Sequence, residues 1–182
     1  MTTQTVAPTN RYTLARMHRI LDKVYLACGY AAAASILLVL LIILVQIAVR
    51  YSGHNIGGLT TYAGYMMASS TFLGLSYALI NGAHIRIETI SKMLGRGQRY
   101  VDLLAFFLGT IIAAWFAYYA ANMDFTSWSI SDVSTDLDET PLWIPQFTMA
   151  LGTAIFATAM ADNFITLLLT GQYRVRSNFQ SL

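Results

Sequence analysis

Four long apolar stretches, separated by polar segments, set the pattern of the chain. The first covers residues 26–49 and contains no charged side chain, and the others cover 60–83, 101–123 and 145–169. At about 1.5 Å per helical residue, each is long enough to cross a hydrocarbon core of roughly 30 Å. Because lipid offers the backbone no hydrogen bonds, these stretches are predicted to be helices. The pattern therefore predicts an all-α integral membrane protein, a single membrane domain with four transmembrane helices.

The polar segment after the second span keeps isoleucines among its charges. On a helix covering 84–97, Ile87 and Ile90 fall on one side, and Glu88 and Lys92 fall on the other. Such an interfacial amphipathic helix is predicted to lie along the cytoplasmic membrane surface, with its cations among the lipid phosphates. A plain polar loop is the alternative.

The distribution of basic residues predicts the orientation. Ten of the 11 Lys and Arg side chains lie before the first span, between the second and third, or after the fourth, and only Arg50 lies on the opposite side. The positive-inside rule therefore places both termini in the cytoplasm. The segment 1–25 is expected to include a weaker amphipathic helix, and 170–182 to form a cytoplasmic tail. No signal cleavage is expected, because the first apolar run exceeds the roughly 7–15 residues of a secretory signal.

The loop predicted on the opposite side, 124–140, carries several acidic residues and no basic one. Two interpretations remain open. In the first, the negative charge of the loop reflects only solvation and topology. In the second, the loop is a docking surface for an extracytoplasmic partner, because surface patches of one charge sign steer the encounter of two proteins. The candidate docking residues are Asp132, Asp136, Asp138 and Glu139.

Small side chains recur at four-residue steps in three of the spans, and small side chains let membrane helices approach closely. The positions are Ser70, Gly74, Ala78 and Gly82 in the second span, Gly109, Ala113, Ala117 and Ala121 in the third, and Ala150, Ala154, Thr158 and Asp162 in the fourth. These faces are expected to meet inside the bundle. Bulky aromatic side chains of the third span are expected to face lipid or another protein, namely Trp115, Phe116, Tyr118 and Tyr119.

Asp162 is the one carboxylate well inside a predicted span. Intramembrane acids are candidates for proton relays and ion sites. The interpretation favoured here is structural, with Lys23 or Arg99 reaching Asp162 from the inner surface to neutralise it. Gln46 and Asn81 are expected to form interhelical hydrogen bonds.

The sequence offers few groups that could catalyse a reaction. Its three histidines lie outside the predicted spans, so the two axial ligands of a transmembrane haem are missing, and the single cysteine, Cys28, has no disulfide partner. We predict a protein that is not an enzyme and has no cofactor, metal site or nucleic-acid partner. A membrane anchor for a respiratory oxidoreductase is the main alternative, and a stand-alone exporter is a third.

Three motifs occur in order along the chain. The first span ends in QIAVRY, the second ends in FLGLSYALINGAHIRIE, and the fourth begins with TPLWIPQF. In this order and spacing they resemble the small membrane subunit of tripartite ATP-independent periplasmic (TRAP) transporters, the DctQ-like family. The resemblance runs from Leu38 to Leu169.

The resemblance implies a division of labour among three proteins of the bacterial inner membrane and periplasm. A large permease subunit would hold the solute and sodium sites, and a periplasmic binding protein would deliver an organic acid or zwitterionic solute. This chain would be a static scaffold without a substrate site. The resemblance also implies anchoring roles at both membrane surfaces, for His84, Arg86 and Glu88 at the inner one and for Arg50 and Tyr51 at the outer one. Trp143, at the start of the fourth span, is expected to anchor at headgroup depth, where tryptophan concentrates.

Overall fold

The computed structural model describes residues 9–54, 56–81, 98–135 and 139–170. In these ranges the chain forms four α-helices: α1 (Thr9–Tyr51), α2 (Leu59–Ile80), α3 (Gln98–Ser129) and α4 (Trp143–Thr170). The predicted all-helical architecture is confirmed. The predicted interfacial helix 84–97 and nearly all of the tail 170–182 lie outside the described residues.

Three of these helices are long and apolar enough to cross a membrane, within the described part of the chain. They are α1, α3 and α4, over His18–Tyr51, Arg99–Ser129 and Trp143–Leu169. The 22 residues of α2 would extend about 33 Å, but α2 is not one of these three helices. Four spans were predicted and three meet the criterion, so a spanning α2 stays a prediction.

Two helices extend beyond the predicted spans. α1 runs without a break through residue 25, so the N-terminal segment, from Thr9 onward, continues the first span instead of forming a separate helix. α3 ends at Ser129 instead of residue 123, and the first turns of the predicted loop 124–140 are therefore helical. No glycine or proline interrupts the chain between Gly109 and Pro141, which explains the extension.

Both extended helices end in a residue with left-handed backbone. After α1, Gly53 has a φ of 79°, and the N–H of His54 donates to the carbonyl of Val49 at 3.2 Å. After α3, Ser131 takes the equivalent place with a φ of 53°. This is the Schellman arrangement, which satisfies the last carbonyls of a helix and stops it sharply.

The helices pack in the order α1, α2, α4, α3. α2 and α4 are therefore central, and α1 and α3 lie at the edges of the row. The buried hydrophobic cluster consists of Tyr25, Leu79, Ile80 and Ala159. It lies at the end that contains the start of α1 and the end of α2, which we call the inner end. The opposite end, with the α1–α2 and α3–α4 connections, is the outer end.

Candidate interaction surface

The edge helices expose apolar side chains over much of their length. On α1, most side chains between residues 36 and 47 are exposed, with Leu37 at 61% and Ile47 at 60%. A contiguous apolar surface of this extent requires lipid or another protein to cover it. α1 therefore offers its outward side to a different molecule.

α3 exposes a cluster of large aromatic rings. Trp115 is 67% exposed, Tyr118 66% and Tyr119 52%. The ring of Tyr119 lies 5.4 Å from that of Trp115 and 5.5 Å, edge to face, from that of Tyr118. The rings thus stabilise one another, and the prediction that they point away from the bundle interior is confirmed. Phe116 is also exposed, although its ring stacks on Phe72 of α2.

At the outer end, the α3–α4 connection is tied to α2. An isolated bridge pairs Val133 with Pro141, and the hydroxyl of Thr140 donates to the Tyr62 hydroxyl oxygen at 2.9 Å. Of the predicted docking residues, Asp132 is half-buried and Glu139 is exposed. Asp136 and Asp138 lie outside the described residues.

The predicted anchoring residues at the outer interface occupy helix ends. Arg50 and Tyr51 close α1 and are exposed, Tyr51 to 96%. Trp143 is the first residue of α4 and is 40% exposed. The predicted inner anchors His84, Arg86 and Glu88 lie outside the described residues, as does the predicted packing residue Gly82.

Most of the remaining predicted packing residues of α2 and α3 lie at or near helix contacts, but Ala121, predicted to lie inside the bundle, is exposed. A Cβ built on Gly74 would lie 3.7 Å from the Ala32 side chain of α1, and one on Gly109 would lie 3.4 Å from the Met160 sulfur of α4. Ala113 is buried. Ala78 and Ala117 are half-buried.

On α4 the small residues face differently from the expectation. Ala154 and Thr158, predicted to lie inside the bundle, are exposed. Gly152, Ala159 and Asn163 are buried instead. A Cβ on Gly152 would lie 2.7 Å from the Phe72 backbone, so this glycine permits the closest approach of α4 to α2. Gly152 falls outside the four-residue series from which the packing side of α4 was predicted.

Asp162 pairs with a histidine. Its Oδ1 lies 3.5 Å from Nδ1 of His18 on α1, and the Asp162 side chain is only 11% exposed. Arg99 was predicted to reach Asp162, but its guanidinium instead donates to the carbonyl of Leu168 at 3.3 Å. Lys23 is exposed. The pair therefore joins the start of α1 to α4 at the inner end.

Sequence reasoning missed one feature of the outer end, a cleft between α3 and α4. Aromatic side chains from both helices surround one carboxylate there, that of Asp124. The residues from α3 lie 15 or more positions before those from α4, so no local motif could have indicated the cleft. In the described ranges, no three His, Cys, Asp or Glu side chains come together as a metal site.

Comparison with known proteins gives one result. Residues 39–170 match the sequence model of the family described as tripartite ATP-independent periplasmic transporters, DctQ component. No curated protein and no solved structure matches the chain. The match covers well over half of the chain and confirms the resemblance carried by the three motifs. The chain belongs to the DctQ family and is a membrane-embedded component of a TRAP transporter.

Proposed function

We propose that this chain is the fixed scaffold of its transporter and that it holds the large permease subunit in the membrane. The observation that carries the proposal is the packing order α1, α2, α4, α3, which leaves the apolar sides of both edge helices uncovered. Four helices in a row add more width in the membrane to the subunit they bind than a closed bundle of four helices would. Membrane helices associate through close packing, and both edges offer the area for it.

We further propose that α2 spans the membrane together with the other three helices. α2 runs antiparallel to α1, because Gln46 near the end of α1 donates to Thr60 at the start of α2, at 2.7 Å. The two helices also meet at the inner end, where Gly29 lies against Tyr77. A spanning α2 brings both termini to the same side, and the basic residues favour the cytoplasm as that side.

The solute and its coupling ion belong, in this proposal, to the large subunit. The resemblance supports sodium-coupled uptake of an organic acid or zwitterionic solute delivered by a periplasmic binding protein. The exposed Glu139 and the half-buried Asp132 are the described candidates for contacting that protein. Family membership does not favour the alternative, an anchor for a respiratory oxidoreductase.

Photo-crosslinking tests the scaffold role. A photoreactive amino acid replaces Ile43 on the α1 edge or Trp115 on the α3 edge, and a third variant carries it at the buried Ala159 as the control for non-specific reaction. We expect a crosslink to the large subunit from at least one edge and none from Ala159. Absence of a crosslink from both edges, in cells that assemble an active transporter, would contradict the proposal.

The sequence-based anchors have their own test. We expect Arg86→Ala or Glu88→Ala to lower co-purification of the large subunit. Full assembly combined with lost transport would indicate a direct role in transport instead.

Cysteine labelling tests the orientation, in a Cys28→Ser background that removes the single native thiol. With Asp132→Cys, an impermeant thiol reagent added to spheroplasts should react at once. With Arg19→Cys, at the opposite end of the bundle, reaction should require opening of the membrane. The reverse result would invert the proposed topology.

A further inference from the structure

The cleft at the outer end lies between the last turns of α3 and the first turns of α4. Its volume is about 540 Å³. Four aromatic side chains form most of its lining, together with one small and one acidic residue. The lining residues are Ala121, Asp124, Phe125, Trp128, Trp143 and Phe147.

Among the described residues, Asp124 is the only charged side chain of this lining. Its Oδ1 is buried and, within the described part of the chain, accepts no hydrogen bond. A buried carboxylate oxygen without a donor is costly, so the cleft favours a ligand that brings N–H groups and positive charge. The faces of the tryptophan and phenylalanine rings attract cations as well. The buried carboxylate oxygen and the aromatic rings therefore both favour a cationic ligand.

The depth of the cleft and the surface below it narrow the choice of cation. Asp124 directly follows the predicted third span, and tryptophans such as Trp143 concentrate at headgroup depth. From Phe147, the exposed side of α4 continues toward the membrane centre at helical spacing through Leu151, Ala154 and Thr158. A ligand with an ammonium head and an apolar tail matches both parts of this surface.

We propose that this cleft is a binding site for an aminophospholipid of the outer leaflet, one whose headgroup ends in a primary ammonium. The ammonium donates to the Asp124 carboxylate between the tryptophan rings, and an acyl chain lies along the exposed side of α4. A basic side chain of a partner protein could meet Asp124, but it leaves the apolar surface beside Leu151 uncovered. The site goes beyond the scaffold role, and only its assignment to the outer leaflet rests on the orientation proposed above.

Tryptophan quenching tests the proposal on the full chain reconstituted in phosphatidylglycerol vesicles. Of the three tryptophans, Trp128 and Trp143 line the cleft, so Trp115→Phe leaves only cleft reporters. Phosphatidylethanolamine and phosphatidylglycerol, each brominated at shallow acyl positions, are compared at equal mole fraction. We expect roughly fivefold stronger apparent binding of brominated phosphatidylethanolamine, as one charge-assisted hydrogen bond allows.

Two comparisons make the result specific. Asp124→Asn should abolish the preference, whereas Asp132→Asn, an acid at the same end outside the cleft, should keep it. N-acylated phosphatidylethanolamine lacks the ammonium group. In the protein that keeps Asp124, it should bind no more tightly than phosphatidylglycerol, and this comparison needs no substitution at the site.

Equal quenching by the two lipids in the Trp115→Phe protein would overturn the proposal, as would a preference that survives in Asp124→Asn. A third outcome also overturns it: no lipid preference, but weaker co-purification of the large subunit or the binding protein with Asp124→Asn. That result would assign the cleft to a basic side chain of a partner protein.

Discussion

α1 and α2 are neighbours in the row of helices, and they differ in how much of their length is buried. Of the three candidate spans in the described ranges, α1 is the most apolar, and only 6% of its most apolar stretch is buried, against 11% in α3 and 28% in α4. α2 carries several serine and threonine side chains and buries Ser69, Ser70 and Ser76. Lipid tails are as apolar as leucine, so apolar character does not draw membrane helices together. Small and hydroxyl-bearing side chains do, because they permit close contact.

The contact between α2 and α4 illustrates this principle. Gly152 brings α4 against the backbone of Phe72, and the hydroxyls of Ser69 and Thr148 lie 2.9 Å apart across the interface. Neither feature raises the apolar character of a helix. Both features hold α2 at the centre of the row. The following substitutions test whether the size and position of side chains, and not their apolar character, decide how the helices pack.

The largest effect is expected from Gly152→Ala. The new methyl group would lie 2.7 Å from the carbonyl of Phe72, and backbone cannot move aside as a side chain can. We expect a loss of about 3 kcal/mol in unfolding free energy, the upper part of the usual range for overpacking, measured by unfolding in mixed detergent micelles. Gly64→Ala is the control, because nothing lies within 4 Å of its added Cβ. Equal loss from both variants would show that the close approach is unimportant.

Ser76→Leu is expected to cost about 2 kcal/mol by overpacking, although leucine makes α2 more apolar. Ser76 is 0% exposed, so the larger side chain has no free space. Ala34→Leu on the exposed side of α1 adds the same bulk and should change stability little. Ser76→Ala should also be tolerated, because it keeps the small size. If Ser76→Leu raised the free energy of unfolding, apolar character would be the property that decides the packing.

A double-mutant cycle between His18 and Asp162 measures how firmly the start of α1 is held to α4. With 26% and 11% of the two side chains exposed, we expect a coupling energy of about 1 kcal/mol between His18→Ala and Asp162→Ala. The same cycle with Arg19→Ala in place of His18→Ala should give a coupling energy near zero, because Arg19 is exposed. Asp162→Asn should leave solute uptake normal, and a selective loss of cation coupling would contradict the structural role.

The smallest effect is expected from Ser69→Ala. Its hydroxyl reaches Thr148 on α4, and such interhelical hydrogen bonds average about 0.6 kcal/mol in membranes. Thr71→Val is the control, because the exposed Thr71 hydroxyl donates to the carbonyl of Met67 in its own helix. If both substitutions have the same effect on detergent unfolding, the contact to α4 adds nothing.

Parts of the fold were predictable because they follow from composition along one segment. The apolar stretches indicated α1, α3 and α4 to within a few residues at most ends, since burial of backbone in lipid leaves little choice but a helix. Gln46 forms the expected interhelical hydrogen bond. Asn81 does not, because its amide donates at 2.8 Å to Tyr77 in the preceding turn, a local alternative that is always within reach at a helix end.

Which side of a helix packs was harder to predict. The series Ala150, Ala154, Thr158 and Asp162 has the right spacing, yet two of its members are exposed. Small residues occur on more than one side of α4, and only the approach of α2 at Gly152 selects between them. The partner of Asp162 likewise depended on the length of α1, whose unbroken course from Thr9 brings His18 within reach.

The sequence by itself determined that the protein is helical and membrane-embedded, because hydropathy acts on each segment separately, and its three ordered motifs determined the family. Contacts between helices set the order of the helices in the row, the buried side of α4, the pairing of Asp162 with His18 and the aromatic cleft around Asp124. These depend on contacts between residues far apart in the chain. In lipid such contacts are set by shape and close approach, which a pattern of apolar and polar letters does not record.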